Sequence, residues 1–463
     1  MNLNCPCNFY LILESVKPMS HPKNCFILLI CLIFLFNTGC NRQKNPAFKE
    51  IPEIVWMGSV QDYPSIQTGI SYDVTAVKPT VDNGFILAAY VYYEKTLFDA
   101  LLVKINATGK VEWTKTYGGK DFETDIIHNI VVLPHGGYIC VGLTYSRDIE
   151  GYHSSGSLIT GQGDGWVLRL DNDGNVLWQK AYGGYNFDKF RSGLLAPDGH
   201  IIIAGETQSK VTTDNADNGN FDNWVIEIDT NGTVIWQKQF GAEGIDRIYD
   251  MALFNDSGII LLGGTNFIDN TLTVNYNTTL TMMNIKQGNI IWTKTWGGEA
   301  WDIGYSVAVD EQKRIVIAGK SESKTGNFKN KGMTDAFVST FDSLGNNIWC
   351  KNFGGSLNDY FYKIIALKDK YIAIGTSISY DKDLVKKPFK IYDPKKNADV
   401  IIAQLNLDGS LDKFHILSGS NLDVGRGITA YNKDSYFVFG YTSSADGHFK
   451  NTKSSLWYAL LKK

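Results

Sequence analysis

The chain has 463 residues, 44% apolar and 20% charged, the profile of an ordinary folded protein. A formal net charge of −4 argues against a nucleic-acid partner, which would favour a basic face. Aromatic residues at 13% and 45 glycines suit an all-β protein with many tight turns.

The first feature in chain order is an unbroken apolar run from Cys25 to Phe36, with Lys17 and Lys23 ahead of it. The run is short for a bilayer span and suits the core of a secretory signal. Asn37-Thr38-Gly39-Cys40 follows at once. This junction resembles the lipobox of bacterial lipoproteins, with Asn37 in place of the usual aliphatic residue. The resemblance implies cleavage before Cys40, acylation of its thiol and attachment to the outer membrane of the cell envelope. Met19 would start a signal of ordinary length. Residues 1–39 thus read as signal, 40–50 as a polar tether, and 51–463 as the folded body. Cys140 and Cys350 lie in apolar strand patterns three repeats apart and read as buried thiols.

From residue 51 one pattern repeats every 55–65 residues, roughly the period of a radially repeated fold. A turn glycine leads four residues on to a tryptophan: Gly109 to Trp113, Gly174 to Trp178, Gly232 to Trp236, Gly288 to Trp292 and Gly345 to Trp349. The sixth copy, Gly409, leads to Lys413. Within each repeat, short apolar or alternating segments are joined by Asn-Gly or Asp-Gly corners, the mark of tight hairpins. Four antiparallel strands per repeat define a β-propeller blade. With the Trp strand outermost, six blades end at residues 117, 182, 240, 296, 353 and 417. Three C-terminal strands, 423–431, 435–442 and 456–463, lack their fourth. The orphan strand 51–60, carrying Trp56, supplies it. The expectation is a seven-bladed β-propeller closed by the two ends of the chain, which removes both open edges.

Other positions recur. An acid falls four residues past each Gly-Gly pair or its equivalent: Glu123, Asp188, Asp246, Asp302, Asp359 and Asp423, with Asp73 as the first-blade counterpart. Gly142, Gly205, Gly263, Gly319, Gly375 and Gly440 recur in the second strand. Asp99, Asp164, Asp222, Asp335 and Asp399 precede the third, and blade 4 has Thr278-Thr279 there instead. Asp302, Gly319, Ser321, Asp335-Ala336-Phe337-Val338, Asp342, Gly345 and Trp349 together resemble the seven-bladed propeller repeat of secreted and surface proteins of bacteria. That resemblance spans residues 51–463 and implies the fold, not an activity.

A residue repeated in every blade serves every blade. The recurrent acids therefore read as acceptors of backbone N–H groups at the blade crossings. Trp56, Trp113, Trp178, Trp236, Trp292 and Trp349 read as packing between blades. A site must break the symmetry. Three residues after the acids the chain has Ala76, Ile126, Arg191, Tyr249, Tyr305, Tyr362 and Arg426. Tyr and Arg are enriched at binding hot spots. Arg191, Tyr249, Tyr305, Tyr362 and Arg426 are therefore the candidate ligand-binding residues, near one mouth of the channel. Long unequal loops, 146–163, 208–221 and 378–398, leave on the same face. Asp214, Asp217 and Asp222 offer oxygen ligands for calcium without the spacing of a known calcium loop. No catalytic constellation and no cofactor motif is visible. The reading is a monomeric envelope lipoprotein, bound to the membrane through its lipid, that holds a protein or glycan ligand without turnover. A glycan hydrolase or lyase with a site at the channel mouth is the alternative.

Overall fold

The glycines that open the Gly-to-Trp steps are hairpin corners. In the computed structural model Gly109, Gly174, Gly232, Gly288, Gly345 and Gly409 hold φ between +64° and +85°, which glycine adopts without Cβ strain. In four of the six, at Asn106, Asp171, Asp229 and Asp342, the residue three positions earlier closes the corner with its side chain. Asp229 Oδ1 accepts the amides of Asn231 and Thr233, both at 2.8 Å. Asp342 Oδ1 accepts those of Leu344 and Asn346 at 2.9 and 2.8 Å. These are Asx-turns, a local reason for Asp or Asn there.

The structure describes residues 52–60, 70–93, 97–119, 123–153, 162–212, 221–242, 244–268, 274–379, 381, 398–450 and 455–463. The expected signal and tether, Cys40, Asp214, Asp217 and residues 154–161, 213–220 and 382–397 of the three long loops lie outside the described residues. Among the described residues no helix is long and apolar enough to cross a membrane.

The described strands form seven four-stranded antiparallel sheets. Six take consecutive strands, such as Asp188–Leu195, Ile201–Thr207, Asp222–Ile228 and Val234–Phe240 in blade 3. The first strands of neighbouring blades touch one another all the way round, so they line the central channel. Second and third strands are buried throughout in blade 3, and the fourth is mostly half-buried or exposed. The apolar core lies between blades. Phe190 of blade 3 stacks on Trp224 at 4.7 Å and packs with Val131 and Val141 of blade 2.

The seventh sheet joins the chain ends. Ile54–Ser59 pairs antiparallel with Ser455–Lys462, with Trp56 opposite Leu460 and Gly58 opposite Tyr458. Backbone bonds Val60 N to Leu456 O at 3.0 Å and Lys462 N to Glu53 O at 2.9 Å bracket the seam. The seven-bladed, end-closed propeller expected from the repeat is the fold observed.

Each tryptophan lies on the turn glycine of the next blade. A Cβ added to Gly288 would sit 2.7 Å from Trp236, and one on Gly345 would sit 2.9 Å from Trp292. Trp56 covers Gly109 in the same way across the seam, where Tyr458 Oη also donates to Gly109 O at 3.2 Å. This accounts for Lys413. The blade after it is the closing one, whose last two strands are the chain ends and are joined by no hairpin. There is no turn glycine for a tryptophan to cover.

The recurrent acids tie the crossings. Asp188 Oδ2 accepts Gly184 N at 2.7 Å and Ser209 Oγ at 2.8 Å, and Thr207 Oγ1 donates to its other oxygen. Asp246, Asp302, Asp359 and Asp423 accept the matching amides of Ala242, Gly298, Gly355 and Gly419. In blade 2 the acid in this place is Asp125, not Glu123. Asp125 accepts Gly119 N at 2.9 Å, Ser146 Oγ at 2.7 Å and Thr144 Oγ1 at 2.5 Å. The connection from Gly119 to the strand is two residues longer there than in blade 3, so a fixed count stops short.

The acids that precede the third strands pack against the same Gly-Gly turns. Asn277 takes that place in blade 4, one residue before Thr278-Thr279. Burial, with Asp188 nearby, raises the Asp164 carboxyl to about 8. Asp222 belongs to this set. It is buried and accepts Gln239 Nε2 at 2.9 Å. Cys140 and Cys350 are both unpaired, and burial pushes the Cys350 thiol up to about 12.

Candidate functional site

A regular strand sends alternate side chains to opposite faces, so one extra residue re-aims its neighbours. Every first strand here carries such a bulge at the same depth. In blade 3 Phe190 pairs with Gly205 and Ser192 with Ala204, leaving Arg191 unpaired between them. The residues skipped in the strand register of the six other blades are Thr75, His128, Tyr249, Tyr305, Tyr362 and Arg426.

The second-strand glycine is what admits the bulge. A Cβ at Gly205 would overlap the carbonyl oxygen of Lys189, two residues before Arg191. Gly142, Gly319, Gly375 and Gly440 stand in the same relation to the carbonyls of Ile126, Ile303, Tyr360 and Val424. Blade 1, with Ala89 in that place, takes a second register shift between Ser71 and Asp73.

The seven bulged residues line one mouth of the channel, around a cavity of about 210 Å³. Its walls form an arc. Arg191 lies over the Tyr249 ring at 5.3 Å. Tyr249 meets Tyr305 edge-on at 5.9 Å, and Tyr305 meets Tyr362 at 5.8 Å. Arg426 lies over the Tyr362 ring at 4.3 Å. Three aromatic rings are thus flanked by two guanidinium groups, each in cation–π contact. Behind Arg191, the buried Glu206 carboxylate binds its Nη2 at 2.9 Å and its Nε at 3.3 Å, and binds Arg247 Nε at 3.2 Å. Burial, with Lys189 and Arg191 nearby, holds His128 well below the usual imidazole range, so it is neutral at pH 7.

A second tier lies deeper, in a cavity of about 130 Å³. The residues that follow the bulges, Asn129, Asp250 and Lys363, line it together with Lys78. Lys363 Nζ donates to Asp250 Oδ2 at 2.7 Å. Burial, with Lys363 repelling, lowers the Lys78 ammonium to about 8.

Arg191, Tyr249, Tyr305, Tyr362 and Arg426 therefore share one cavity. The count that chose them gives the wrong residue in two blades: Thr75 and His128, not Ala76 and Ile126, hold the bulge positions. In blade 2 the shift comes from the longer connection before Asp125. Reading back from the second-strand glycine would have found His128. Lys78, Asp250 and Lys363 were not singled out, because charged residues one step along a strand carry no mark of facing a channel.

Among the described residues, Asp198, His200 and Glu227 form a group with metal-ligand donors. They sit at the opposite end of blade 3, with His200 Nδ1 3.2 Å from Glu227 Oε1 and 3.4 Å from Asp198 Oδ2. In blade 1, Lys104 binds Asp82 and Glu112 at the matching register. The group reads as the same polar bracing of a hairpin.

Fold and site together define a propeller with a lined central channel. No family model matches the chain. Over 305 residues it is 24% identical to the outer membrane protein assembly factor BamB of Shewanella oneidensis, a match covering 57% of this chain and 67% of that protein. Among solved structures it is similar to the β-propeller domain of the Trilobed protease from Pyrococcus furiosus. That match has a TM-score of 0.43 and 10% identity, and covers 86% of this chain and 98% of that one. A protein of unknown function from Dyadobacter fermentans matches with a TM-score of 0.40 and 11% identity, over 88% of this chain and 98% of that one.

Proposed function

We propose that this protein is a non-catalytic binding or scaffolding module of the bacterial cell envelope, tethered by an acylated Cys40. It engages a protein or glycan ligand at the channel mouth. The observation that carries the reading is the convergence of seven re-aimed side chains, Tyr and Arg prominent among them, on one cavity. Similarity to a protein named as an outer membrane assembly factor supports the envelope setting. The test is a glycan array and an envelope extract probed with the wild type and with a Tyr305→Ala/Arg426→Ala variant of unchanged melting temperature. Ligands held by the wild type should be released unaltered and should not be held by the variant. Equal retention by the variant would overturn the reading. Cys40→Ser should move the protein from the membrane to the soluble fraction. The enzymatic alternative would use the imidazole of His128, which lines the same cavity. It requires turnover that is lost in His128→Ala.

A further inference from the structure

The deep tier of the channel carries charge that the protein itself does not balance. Asp250 already has four hydrogen-bond donors. Its Oδ2 accepts Ser306 Oγ at 2.9 Å, Val307 N at 3.0 Å and Lys363 Nζ at 2.7 Å, and its Oδ1 accepts Ser192 Oγ at 3.3 Å. Lys78 enters the same cavity from blade 1. Among the described residues it makes no hydrogen bond or ion pair, while Lys363 repels it and Asp250 attracts it from beyond bonding distance. With Arg426 lining the same cavity, the ammonium groups of Lys78 and Lys363 against the one Asp250 carboxylate leave an excess of positive charge in a partly desolvated site. Such a charge is costly until an anion meets it.

We infer that the floor of the channel is a carboxylate subsite, and that the ligand is a hexuronic acid, free or at the end of a glycan. The inference rests on the channel mouth being the binding site, as proposed above. The excess of positive charge suits a carboxylate. The same cavity of about 130 Å³ is lined by Lys78 and Lys363 and by the mouth residues, so a ligand held at the mouth can reach the two ammonium groups. Above it, Tyr249, Tyr305 and Tyr362 offer ring surface to the C–H face of a pyranose. Arg191 and Arg426 offer donors to its hydroxyls. Phenols and guanidiniums are amphipathic, so the wall suits a ring that is apolar on its face and polar at its edge.

The experiment is calorimetric titration of the full chain. The probes are glucuronate, its methyl ester, glucose, a glucuronate-ended oligosaccharide and a peptide ending in glutamate. Glucuronate should bind about 10- to 100-fold tighter than its ester or glucose, the range for a hydrogen bond to a charged group. Lys78→Met should abolish that difference, and Lys78→Arg should restore part of it. Tyr305→Ala should weaken all the sugars alike. If the oligosaccharide binds tighter than free glucuronate, the source is a glycan end; equal affinity assigns the free acid. Equal affinity for glucuronate and its ester, or a preference unchanged in Lys78→Met, overturns the inference. So does binding of the acidic peptide in place of the sugars, which leaves the channel-mouth reading standing. Sugar binding that survives Tyr305→Ala/Arg426→Ala undiminished overturns both.

Discussion

Gly288→Ala isolates the interlocking of neighbouring blades. Gly288 holds φ +64°, and a Cβ there would lie 2.7 Å from Trp236 Cζ3. Two costs follow. The left-handed backbone costs an L-residue roughly 1–2 kcal/mol. Forcing a methyl group against a packed indole adds roughly 1–3 kcal/mol. Gly199→Ala is the control, because Gly199 holds φ +90° with nothing within 4 Å of its Cβ position. Only the backbone cost, again roughly 1–2 kcal/mol, applies there. In a Trp236→Ala background the steric cost of Gly288→Ala should vanish. A double-mutant cycle should therefore give a coupling of roughly 1–3 kcal/mol. A body of this size shifts its melting temperature by only about 1 °C per kcal/mol, so urea denaturation with a constant m-value is the better assay. Equal destabilisation by the two glycine substitutions to within about 0.5 kcal/mol, or a cycle without coupling, would refute tryptophan-over-glycine packing as a source of blade adhesion.

Deleting residues 51–60 should open the ring. It removes the partner of Ser455–Lys462 and the contacts of Trp56 with Phe85, Phe437 and Tyr458, each worth roughly 0.5–1.5 kcal/mol. Lower thermal stability, partly restored by a 51–60 peptide in trans, is the expected result; unchanged melting would sink the closure argument. Arg191→Leu should cost about 1–3 kcal/mol, because Glu206 is buried and Arg247 alone then answers it. Adding Glu206→Gln should recover part of the loss, and strictly additive losses in urea unfolding would disprove the coupling. Lys78 titrates near 8 in the fold and near 10 when unfolded, so between those values the unfolded chain holds more protons. Stability should therefore rise with pH across that window. Lys78→Met should flatten the rise in a series of melting curves; an identical slope would show that Lys78 is not the group responsible.

Much of the architecture was legible because it is written seven times. Corner residues such as Asp229 and Gly232 act within a few residues of themselves, and local chemistry reads directly from sequence. The end-closure was legible by subtraction, since one strand was missing at one end and spare at the other. The site was legible only where spacing was uniform. Counting from the Gly-Gly pairs found Arg191, Tyr249, Tyr305, Tyr362 and Arg426. It failed in blade 2, where a longer connection moves the acid to Asp125 and the channel position to His128.

By itself, then, the sequence determined the blade, the number of blades and the fact that whatever is particular to this protein lies where the repeats disagree. Hairpin corners and strand alternation are short-range effects, so they survive without knowledge of neighbours. Only the tertiary structure decided that the second-strand glycines exist to admit a bulge, and that the bulge turns one side chain per blade into the channel. It alone set Lys78, Asp250 and Lys363, from the first, fourth and sixth blades, around one cavity, because closing a propeller brings distant strands to one axis. It also gave Lys413 its reason. The tryptophan stops where there is no turn to cover, a fact about the seam that no single repeat contains.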